Sequence, residues 1–260
     1  MKNGLENWEI LVTGGAVRVG RAICEAFAEH GARVIVHCHH SIRAANLLVE
    51  KLPLAANGKE HSVVRGDLTD RDFRAGLIPG LNQRGIRLNC LINNASTYRR
   101  SPLQSLSETA IREDFDINFF APFMLMKDFA EHCGSGCVIN LLDQRITLVE
   151  KNTGAYGLAK KALRDATEAA ALEWAPAIRV NAVAPGYSLP PPGGSEENMR
   201  PLINNIPMRQ ASPPAHIAAA CLFLATSETV TGQVLFVDGG MHLTSPGREE
   251  TWRSVTPGNR

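Results

Sequence analysis

The segment that decides the fold is WEILVTGGAVRVG, at residues 8–20. An apolar run leads directly into a cluster of glycines, and a helical pattern follows from Arg18 to His30 until Gly31 ends it. Glycine permits a tight turn and lets a phosphate approach the backbone N–H groups that open a helix. A tight turn also needs glycine for steric reasons alone, so the loop's position after the first strand favours dinucleotide binding.

The same alternation of strand and helix continues along the chain. Strands are predicted at residues 8–13, 33–37, 62–65, 88–92, 136–142, 178–183 and 233–237. Helices are predicted at residues 18–30, 41–51, from 69 or 70 onward, 106–133 with an interruption near Pro122, 153–174 and 213–226. Because nearly every strand is apolar on both faces, the prediction is a mostly parallel seven-stranded sheet with helices on both faces.

This pattern predicts an α/β chain with a single doubly wound (Rossmann) domain over residues 1–243. Residues 187–207 contain three consecutive prolines and are predicted to be a loose substrate loop. Residues 244–260 are predicted to be a polar C-terminal tail.

Composition excludes several classes of protein. A net charge of +1 without a basic run argues against a partner that is nucleic acid or an anionic membrane. The polar N-terminus lacks an apolar signal segment, and no apolar run is long enough to span a bilayer. The six cysteines are scattered in apolar segments, and Cys133 and Cys137 lack the second pair of a metal site. We therefore expect reduced thiols in a cytoplasmic protein.

The residues after the glycine loop and the second strand favour NADP(H) over NAD(H). Arg18 replaces the middle glycine of the usual pattern, and its guanidinium can bind a phosphate in bidentate fashion. The second strand ends in HCHHSIR, which lacks the carboxylate that binds a ribose 2′-hydroxyl; His40, Ser41 and Arg43 can instead donate to a 2′-phosphate. Alternation would put His37 and His39 on one strand face, but no acidic partner accompanies them, so no metal is predicted.

A tyrosine and a lysine carry the predicted chemistry. Tyr156 and Lys160 are spaced i, i+4, so they share one face of a helix. A nearby ammonium favours the phenolate and lowers the pKa of a tyrosine, which would let Tyr156 act as an acid–base group near neutral pH.

Together these motifs resemble the short-chain dehydrogenase/reductase family over residues 8–243. The resemblance also rests on Asn93-Asn94-Ala95 after the fourth strand, Pro185-Gly186 after the sixth strand, and VDGG at residues 237–240. It implies that Asp67 contacts adenine and that Asn118 belongs to the catalytic set. The implied cofactor-binding residues are Gly14, Arg18, Val19, Gly20, His39, His40, Ser41, Asp67, Leu68, Asn94, Ala95, Ser96, Tyr156, Lys160, Pro185, Gly186 and Ser188.

One residue departs from that family pattern. The catalytic serine of the family lies thirteen positions before the tyrosine, where this chain has Asp143. A serine hydroxyl can donate to a carbonyl oxygen that gains negative charge, whereas an ionised aspartate opposes that charge. Asp143 therefore favours a cationic hydride acceptor such as a protonated C=N bond, or it acts as an acid itself when it is protonated.

Within the family, the chain resembles the pteridine reductases. These enzymes combine the aspartate with the Tyr-x-x-x-Lys pair, an arginine in the glycine loop, and a histidine-rich end of the second strand. They also share NNAS followed by an aromatic residue, which is Tyr98 here and is implied to stack on a pterin. Their usual arginine after the histidine motif is His40 in this chain, and PGYS at residues 185–188 matches their segment beside the substrate lid.

The resulting prediction is NADPH-dependent reduction of a C=N bond in a small pterin or dihydrofolate-like molecule. The predicted catalytic residues are Asp143, Tyr156, Lys160 and Asn118, and the predicted substrate-binding residues are Arg18, Ser96, Tyr98, Asp143 and Tyr156. Arg18, Ser41 and Ser96 are expected to hold the cofactor phosphates. The alternatives are a carbonyl reductase acting on 3-oxoacyl thioesters or sugars, and a non-catalytic NADP-binding protein, which the intact Tyr-Lys pair disfavours. Analogy with the family predicts a homotetramer.

Overall fold

The computed structural model describes residues 4–147, 150–190 and 194–244. Over these residues it contains one sheet of seven strands, all paired in parallel, in the order β3-β2-β1-β4-β5-β6-β7. The strands are β1 (Glu9–Val12), β2 (Arg33–Cys38), β3 (Ser62–Arg65), β4 (Cys90–Asn93), β5 (Gly136–Leu141), β6 (Ile178–Pro185) and β7 (Val234–Val237). The predicted doubly wound α/β fold is confirmed.

Helices cover both faces of the sheet. They are α1 (Arg18–Glu29), α2 (Ile42–Val49), α3 (Arg71–Gln83), α4 (Glu108–Phe115), α5 (Ala121–Cys133), α6 (Tyr156–Trp174), α7 (Glu196–Asn204) and α8 (Pro214–Thr226). The predicted helices lie within one to three residues of these bounds, except in the long stretch before β5 and in the loop after β6.

Alternate residues of each central strand supply two separate cores. In β1, Ile10 and Val12 pack with α1 and α8, whereas Leu11 packs with α3 and α5 on the opposite face. All four β1 residues are buried, and Ile10, Leu11 and Val12 are apolar as burial on both faces requires. The buried Glu9 carboxylate is paired with Arg33 and Lys59. Burial on two faces fixes the strand register, because a shift by one residue would exchange the two faces.

The functional end of the sheet follows from its order. From β1 the chain moves outward to β2 and β3, and then returns across the sheet to β4 on the other side. The carboxyl ends of β1 and β4 therefore lie side by side where the winding direction reverses. Open α/β sheets bind their ligands in the crevice at this switch point.

The predicted loose segment at residues 187–207 is partly helical. Ser195 caps helix α7 by accepting from the backbone N–H of Asn198, although Pro201 lies within the helix. Met199 of this helix and Ile206 after it are buried. The prediction of a loop was wrong for helix α7. Its sequence is polar and contains a proline, so it does not reveal the buried contacts that stabilise the helix.

The predicted interruption near Pro122 takes the form of a π-helical turn at Asp116–Phe120, between α4 and α5. Pro122 lies in the first turn of α5, where a missing N–H group is tolerated. π-turns often occur at functional sites, and Asn118 is buried in this one. Within the described part of the chain, none of the helices combines the length and the apolar character needed to cross a bilayer.

Candidate active site

The glycine loop packs too tightly for side chains at two positions. A Cβ atom on Gly20 would lie 2.2 Å from the carbonyl oxygen of Gly14. Gly14 has a φ of +60°, and a Cβ there would lie 3.0 Å from the Cα of Ala95. These contacts bring the loop, the start of α1 and the end of β4 together, with backbone N–H groups lining the crevice.

Arg18 adopts the conformation of the glycine that it replaces. Its φ is +54°, in the left-handed region, and its Nη2 donates to the carbonyl oxygen of Leu189 at 3.3 Å. The side chain is exposed and thus spans from the glycine loop to the segment after β6. The N-terminus of α1 has no side-chain cap and no acidic residue in its first turn, so its N–H groups are suited to an anion. Val19 lies in the same turn.

His37 supports the glycine loop from below. Its Nδ1 accepts from the N–H of Gly14 at 3.3 Å, so its Nε2 carries the proton that bonds to Gly66 O at 3.1 Å. Burial lowers the pKa of His37 to about 4. The expectation that His37 and His39 share a face was wrong, because β2 ends at Cys38 and His39 turns out to the surface.

The residues expected to bind the adenosine end surround the end of β2. His39 stacks on His40 with ring centroids 3.7 Å apart, and its Nδ1 lies 3.9 Å from Asp67 Oδ1. Ser41 occupies the N-cap position of α2, but its side chain makes no cap bond. Leu68 is buried next to Asp67. The imidazoles of His39 and His40 and the Ser41 hydroxyl thus lie at one edge of the crevice.

Asn94 fixes the relative position of β1 and β4. Its side-chain nitrogen donates to the carbonyl oxygens of Thr13 and Gly14 at 2.9 and 3.1 Å. The Thr13 hydroxyl accepts from the backbone N–H groups of Asn94 and Ala95 at 2.9 and 3.0 Å. This reciprocal set of bonds holds the Asn-Ala pair where β1 and β4 end side by side, and its contact with a cofactor stays a prediction.

The proposed reaction centre joins the end of β5 to the start of α6. Tyr156 is the first residue of α6, and its hydroxyl donates to Asp143 Oδ2 at 2.9 Å. Asp143 follows β5 and also caps the short turn after it by accepting from the backbone N–H of Arg145 at 2.9 Å. The carboxylate is therefore both a turn cap and a partner of the tyrosine.

The predicted lowering of the Tyr156 pKa was wrong. Burial and the adjacent Asp143 carboxylate instead raise the pKa of Tyr156 well above its ordinary value. Lys160 Nζ lies 5.8 Å from the Tyr156 ring centroid and donates to Leu141 O at 2.7 Å. Burial lowers the pKa of Lys160 to about 8, which weakens the ammonium as a stabiliser of phenolate. Burial and the Asp143 carboxylate thus hold Tyr156 as a neutral phenol.

Asn118 and Ser96 form a second pair behind the tyrosine. The Ser96 hydroxyl donates to Asn118 Oδ1 at 2.6 Å, and Asn118 Nδ2 donates to the carbonyl oxygens of Thr97 and Asp114 at 3.0 Å each. Ser96 also lies close enough to Tyr156 to lower its pKa in part. These contacts place Ser96 at the proposed reaction centre, and its role toward a cofactor phosphate stays a prediction.

Tyr98 forms one wall of the reaction centre. Its ring meets the Tyr156 ring edge-on, with centroids 4.9 Å apart, and the Arg145 guanidinium lies 5.3 Å from its centroid. The Tyr98 side chain is 45% exposed, so part of the ring remains available for stacking against a flat ligand.

Arg145 forms ion pairs with both Asp143 and Glu150, which were not predicted from the sequence. Arg145 Nη1 contacts Asp143 Oδ1 and Oδ2 at 3.2 and 3.1 Å, and Arg145 Nε donates to Glu150 Oε2 at 2.9 Å. Burial opposes its charge, but Asp143 and Glu150 keep the pKa of Arg145 above its usual range. An arginine two residues after a catalytic-position aspartate, in an otherwise apolar segment, was the available signal.

The segment after β6 closes the other side of the crevice. A Cβ on Gly186 would lie 2.8 Å from the Cα of Asp238. The backbone at Gly186 therefore passes so close to the end of β7 that a side chain would not fit there. The Ser188 hydroxyl is buried and has no hydrogen-bond partner among the residues that the structure describes. A buried hydroxyl without a partner is suited to a polar group of a ligand.

Comparison with known proteins identifies the family. A family model described as enoyl-(acyl carrier protein) reductase matches residues 15–242. The chain belongs to this family of short-chain dehydrogenases/reductases. It is therefore an oxidoreductase of this family, as the motifs predicted.

Individual relatives within the family differ in substrate. The crystal structure of FolM alternative dihydrofolate reductase 1 from Brucella suis, in complex with NADP, superposes with a TM-score of 0.87 at 30% identity, covering 95% of this chain and 99% of that chain. A 2-dehydro-3-deoxy-D-gluconate 5-dehydrogenase from Formosa agariphila is 30% identical over 92% of this chain and 95% of its own. A 3-oxoacyl-[acyl-carrier-protein] reductase from Synechocystis is 29% identical over 89% and 95%.

Proposed function

We propose that this oxidoreductase uses NADPH to reduce a C=N bond in a pterin or dihydrofolate-like substrate. The observation that carries the proposal is the 2.9 Å hydrogen bond from the Tyr156 hydroxyl to Asp143, at a position where the family has serine. The likeness to the NADP-bound alternative dihydrofolate reductase from Brucella suis supports both the cofactor and the substrate class.

The residues of the crevice fit a phosphorylated dinucleotide. Arg18 and the uncapped start of α1 would hold its phosphates, and His39, His40 and Ser41 would face a 2′-phosphate without an opposing carboxylate in β2. The buried Ser188 hydroxyl, which has no partner in the described part of the chain, would donate to a polar group of the cofactor. NADPH would supply the hydride of the reaction.

The protein contributes the proton and the electrostatics. Tyr156, kept neutral by burial and by Asp143, would donate its phenolic proton to the substrate nitrogen. Lys160, held by the Leu141 carbonyl oxygen, would bind ribose and offset the negative charge that remains on Tyr156. Asn118 would keep the Ser96–Thr97 segment in place behind the tyrosine.

The charge of Asp143 selects the kind of double bond. The Asp143 carboxylate contacts the Arg145 guanidinium at 3.1 Å, and it stands in place of the serine that would donate to a ketone oxygen gaining negative charge. As the C=N nitrogen takes up the proton of Tyr156 it becomes cationic, and the adjacent carboxylate would stabilise that cation until hydride addition neutralises it. The partly exposed Tyr98 ring would stack on a flat heterocycle beside it.

Carbonyl reduction is the second candidate. The relatives that act on 3-oxoacyl thioesters and on a sugar acid support it, since their identity to this chain is similar. The intact pair of Tyr156 and Lys160 disfavours a protein that only binds NADP.

We also propose a homotetramer in the cytoplasm. Exposed apolar side chains on α6, Leu158 at 54% and Leu172 at 83%, support an interface between copies through this long helix. The six free cysteines are consistent with a reducing compartment.

A substrate panel tests the proposed reaction. NADPH oxidation is followed at neutral pH with dihydrobiopterin, dihydromonapterin and dihydrofolate, and with an acetoacetyl thioester as the competing substrate class. Turnover of at least one pterin in clear preference to the thioester is expected. Turnover of the thioester alone would replace the proposal with carbonyl reduction, and NADH in place of NADPH tests the cofactor.

A further inference from the structure

The carboxylate of Asp143 has donors on both oxygens. Oδ1 receives the backbone N–H of Arg145 at 2.9 Å and Nη1 of the same residue at 3.2 Å. Oδ2 receives Nη1 of Arg145 at 3.1 Å and the Tyr156 hydroxyl at 2.9 Å. A carboxylate has about four acceptor positions, so these bonds fill its capacity and hold it in one orientation.

Arg145 is itself fixed from the opposite side. Its Nε donates to Glu150 Oε2 at 2.9 Å, and Glu150 Oε1 accepts from Gln144 Nε2 at 3.2 Å. The side chains of Arg145 and Asp143 are only 15% and 16% exposed, so solvent screens their interaction weakly. The guanidinium also lies 5.3 Å from the Tyr98 ring centroid, within the range of a cation–π contact.

Charged and titratable groups from several elements face Asp143. The charged and titratable residues that face it are Arg145, Glu150, Tyr156, Lys160 and, at the rim, Tyr98 and Tyr187. Arg145 is the cation in direct contact with the carboxylate, and Lys160 bonds to a backbone oxygen instead. Loss of Arg145 would leave a poorly solvated carboxylate beside Glu150.

We propose that Arg145 is a positioning residue that holds Asp143 as an oriented carboxylate, which leaves Tyr156 as the group that delivers the proton to the substrate. The proposal rests on the proposed reaction for the nature of the substrate. It also decides between the two roles open to Asp143, because a carboxylate saturated by Arg145 and Tyr156 is an acceptor and does not act as an acid.

The proton balance of the reaction follows from this arrangement. The O–H bond of Tyr156 breaks as the N–H bond of the product forms, and the phenolate then regains a proton from solvent. Asp143 keeps the same charge throughout, while Arg145 balances it in each state. Arg145 therefore acts through Asp143 and needs no contact with the substrate.

Variants of Arg145 test this role through the pH dependence of kcat/KM. Arg145→Met removes the charge and the bonds, and Arg145→Lys retains the charge without the paired geometry. Glu150→Gln is the matched control, since it removes the other carboxylate on Arg145 and leaves Asp143 paired. The substrate is whichever compound of the panel the wild-type enzyme reduces, so a failure of the pterin assignment shows in the panel and leaves this test intact.

For Arg145→Met we expect the acid limb of the profile to move upward by about one pH unit or more, because the unpaired carboxylate takes up a proton more readily. Arg145→Lys should keep the limb near its wild-type position with a lower kcat, and Glu150→Gln, which removes a neighbouring negative charge, should not move the limb upward. An unmoved limb in Arg145→Met would overturn the proposal.

A second readout needs no substrate and no activity. Infrared difference spectra compare each enzyme with the same enzyme carrying Asp143→Asn, and they report the carboxylic-acid band of residue 143. As the pH is lowered, the band should appear at a higher pH in Arg145→Met than in the wild-type enzyme and in Arg145→Lys. Appearance of the band at the same pH in the wild-type enzyme and in Arg145→Met would equally overturn the role of Arg145.

Discussion

At the scale of single residues, Arg18 combines a conformational cost with a binding role. Its φ of +54° places a long side chain in a region that costs about 1 kcal/mol for residues other than glycine. The same backbone turn directs the guanidinium toward Leu189 across the crevice. We infer that the strain is retained because the side chain binds a phosphate.

Arg18→Gly and Arg18→Ala separate these two effects. Both variants should weaken NADPH binding roughly tenfold or more, because each loses a charge-assisted contact. Arg18→Gly should exceed Arg18→Ala in unfolding free energy by about 1 kcal/mol, because only glycine relieves the positive φ. Fluorescence titration with NADPH and urea unfolding measure the two quantities. Unchanged NADPH affinity in both variants would rule out the phosphate role.

Deprotonation of Lys160 should lower the activity at alkaline pH. Its pKa of about 8 means that the ammonium is lost as the pH rises through that value in the free enzyme. We therefore expect kcat/KM for NADPH, which reports the free enzyme, to fall above about pH 8. Arg stays protonated throughout this range, so the remaining activity of Lys160→Arg should show no such fall. A wild-type profile that stays flat to pH 10 would contradict the assignment.

At the scale of elements, the glycine loop depends on the end of β2. His37 joins the loop to the segment after β3, through bonds to Gly14 and Gly66. It must stay neutral to do so, because its Nδ1 accepts from a backbone N–H group. Burial lowers the pKa of His37 to about 4, so the imidazole stays neutral near pH 7.

The sign of the resulting pH effect follows from proton binding. Between about pH 4 and 6.5 the native His37 binds fewer protons than the unfolded one, so acid favours unfolding. The unfolding free energy should therefore fall between pH 7 and 4.5 by about 2 kcal/mol through this residue alone. His37→Asn, whose Oδ1 can accept from Gly14, should lose correspondingly less over that range. Urea unfolding at both pH values compares them, and equal losses would contradict this account.

At the scale of the whole molecule, the exposed apolar residues of α6 favour self-association. In light scattering we expect the wild-type protein to have the mass of a tetramer, and Leu158→Lys or Leu172→Lys to lower that mass. Leu54→Lys is the control, because Leu54 is 66% exposed and lies away from α6. A monomeric wild-type protein would exclude the assembly, and a mass equally sensitive to Leu54 would exclude this surface.

Most of the fold was predictable from sequence because its signals are local and repeated. Apolar strands alternate with amphipathic helices, and glycines mark the turns where the backbone must pass closely. Helix α7 was not predictable in this way, since Met199 and Ile206 are buried by contacts that the sequence does not display. The tyrosine and aspartate of the candidate site were found by their spacing. The ion pairs of Arg145 with Asp143 and Glu150 depend on the backbone conformation after β5, which the spacing does not specify.

The pKa of Tyr156 shows a similar division. Spacing placed Lys160 on the same helix face and suggested a lowered value, but burial and the carboxylate of Asp143 act in the opposite direction. Such a balance depends on desolvation, which is set by the packing of the entire site and is not encoded in a motif.

The most direct test of the central claim compares the wild-type enzyme with Asp143→Ser on two substrates. kcat/KM is measured with NADPH for the preferred dihydropterin and for the acetoacetyl thioester. We expect the substitution to lower the pterin value by roughly a hundredfold, as for loss of a group that acts on the transition state, and to leave or raise the thioester value. Full pterin turnover by Asp143→Ser would contradict the assignment of Asp143 to a pterin site.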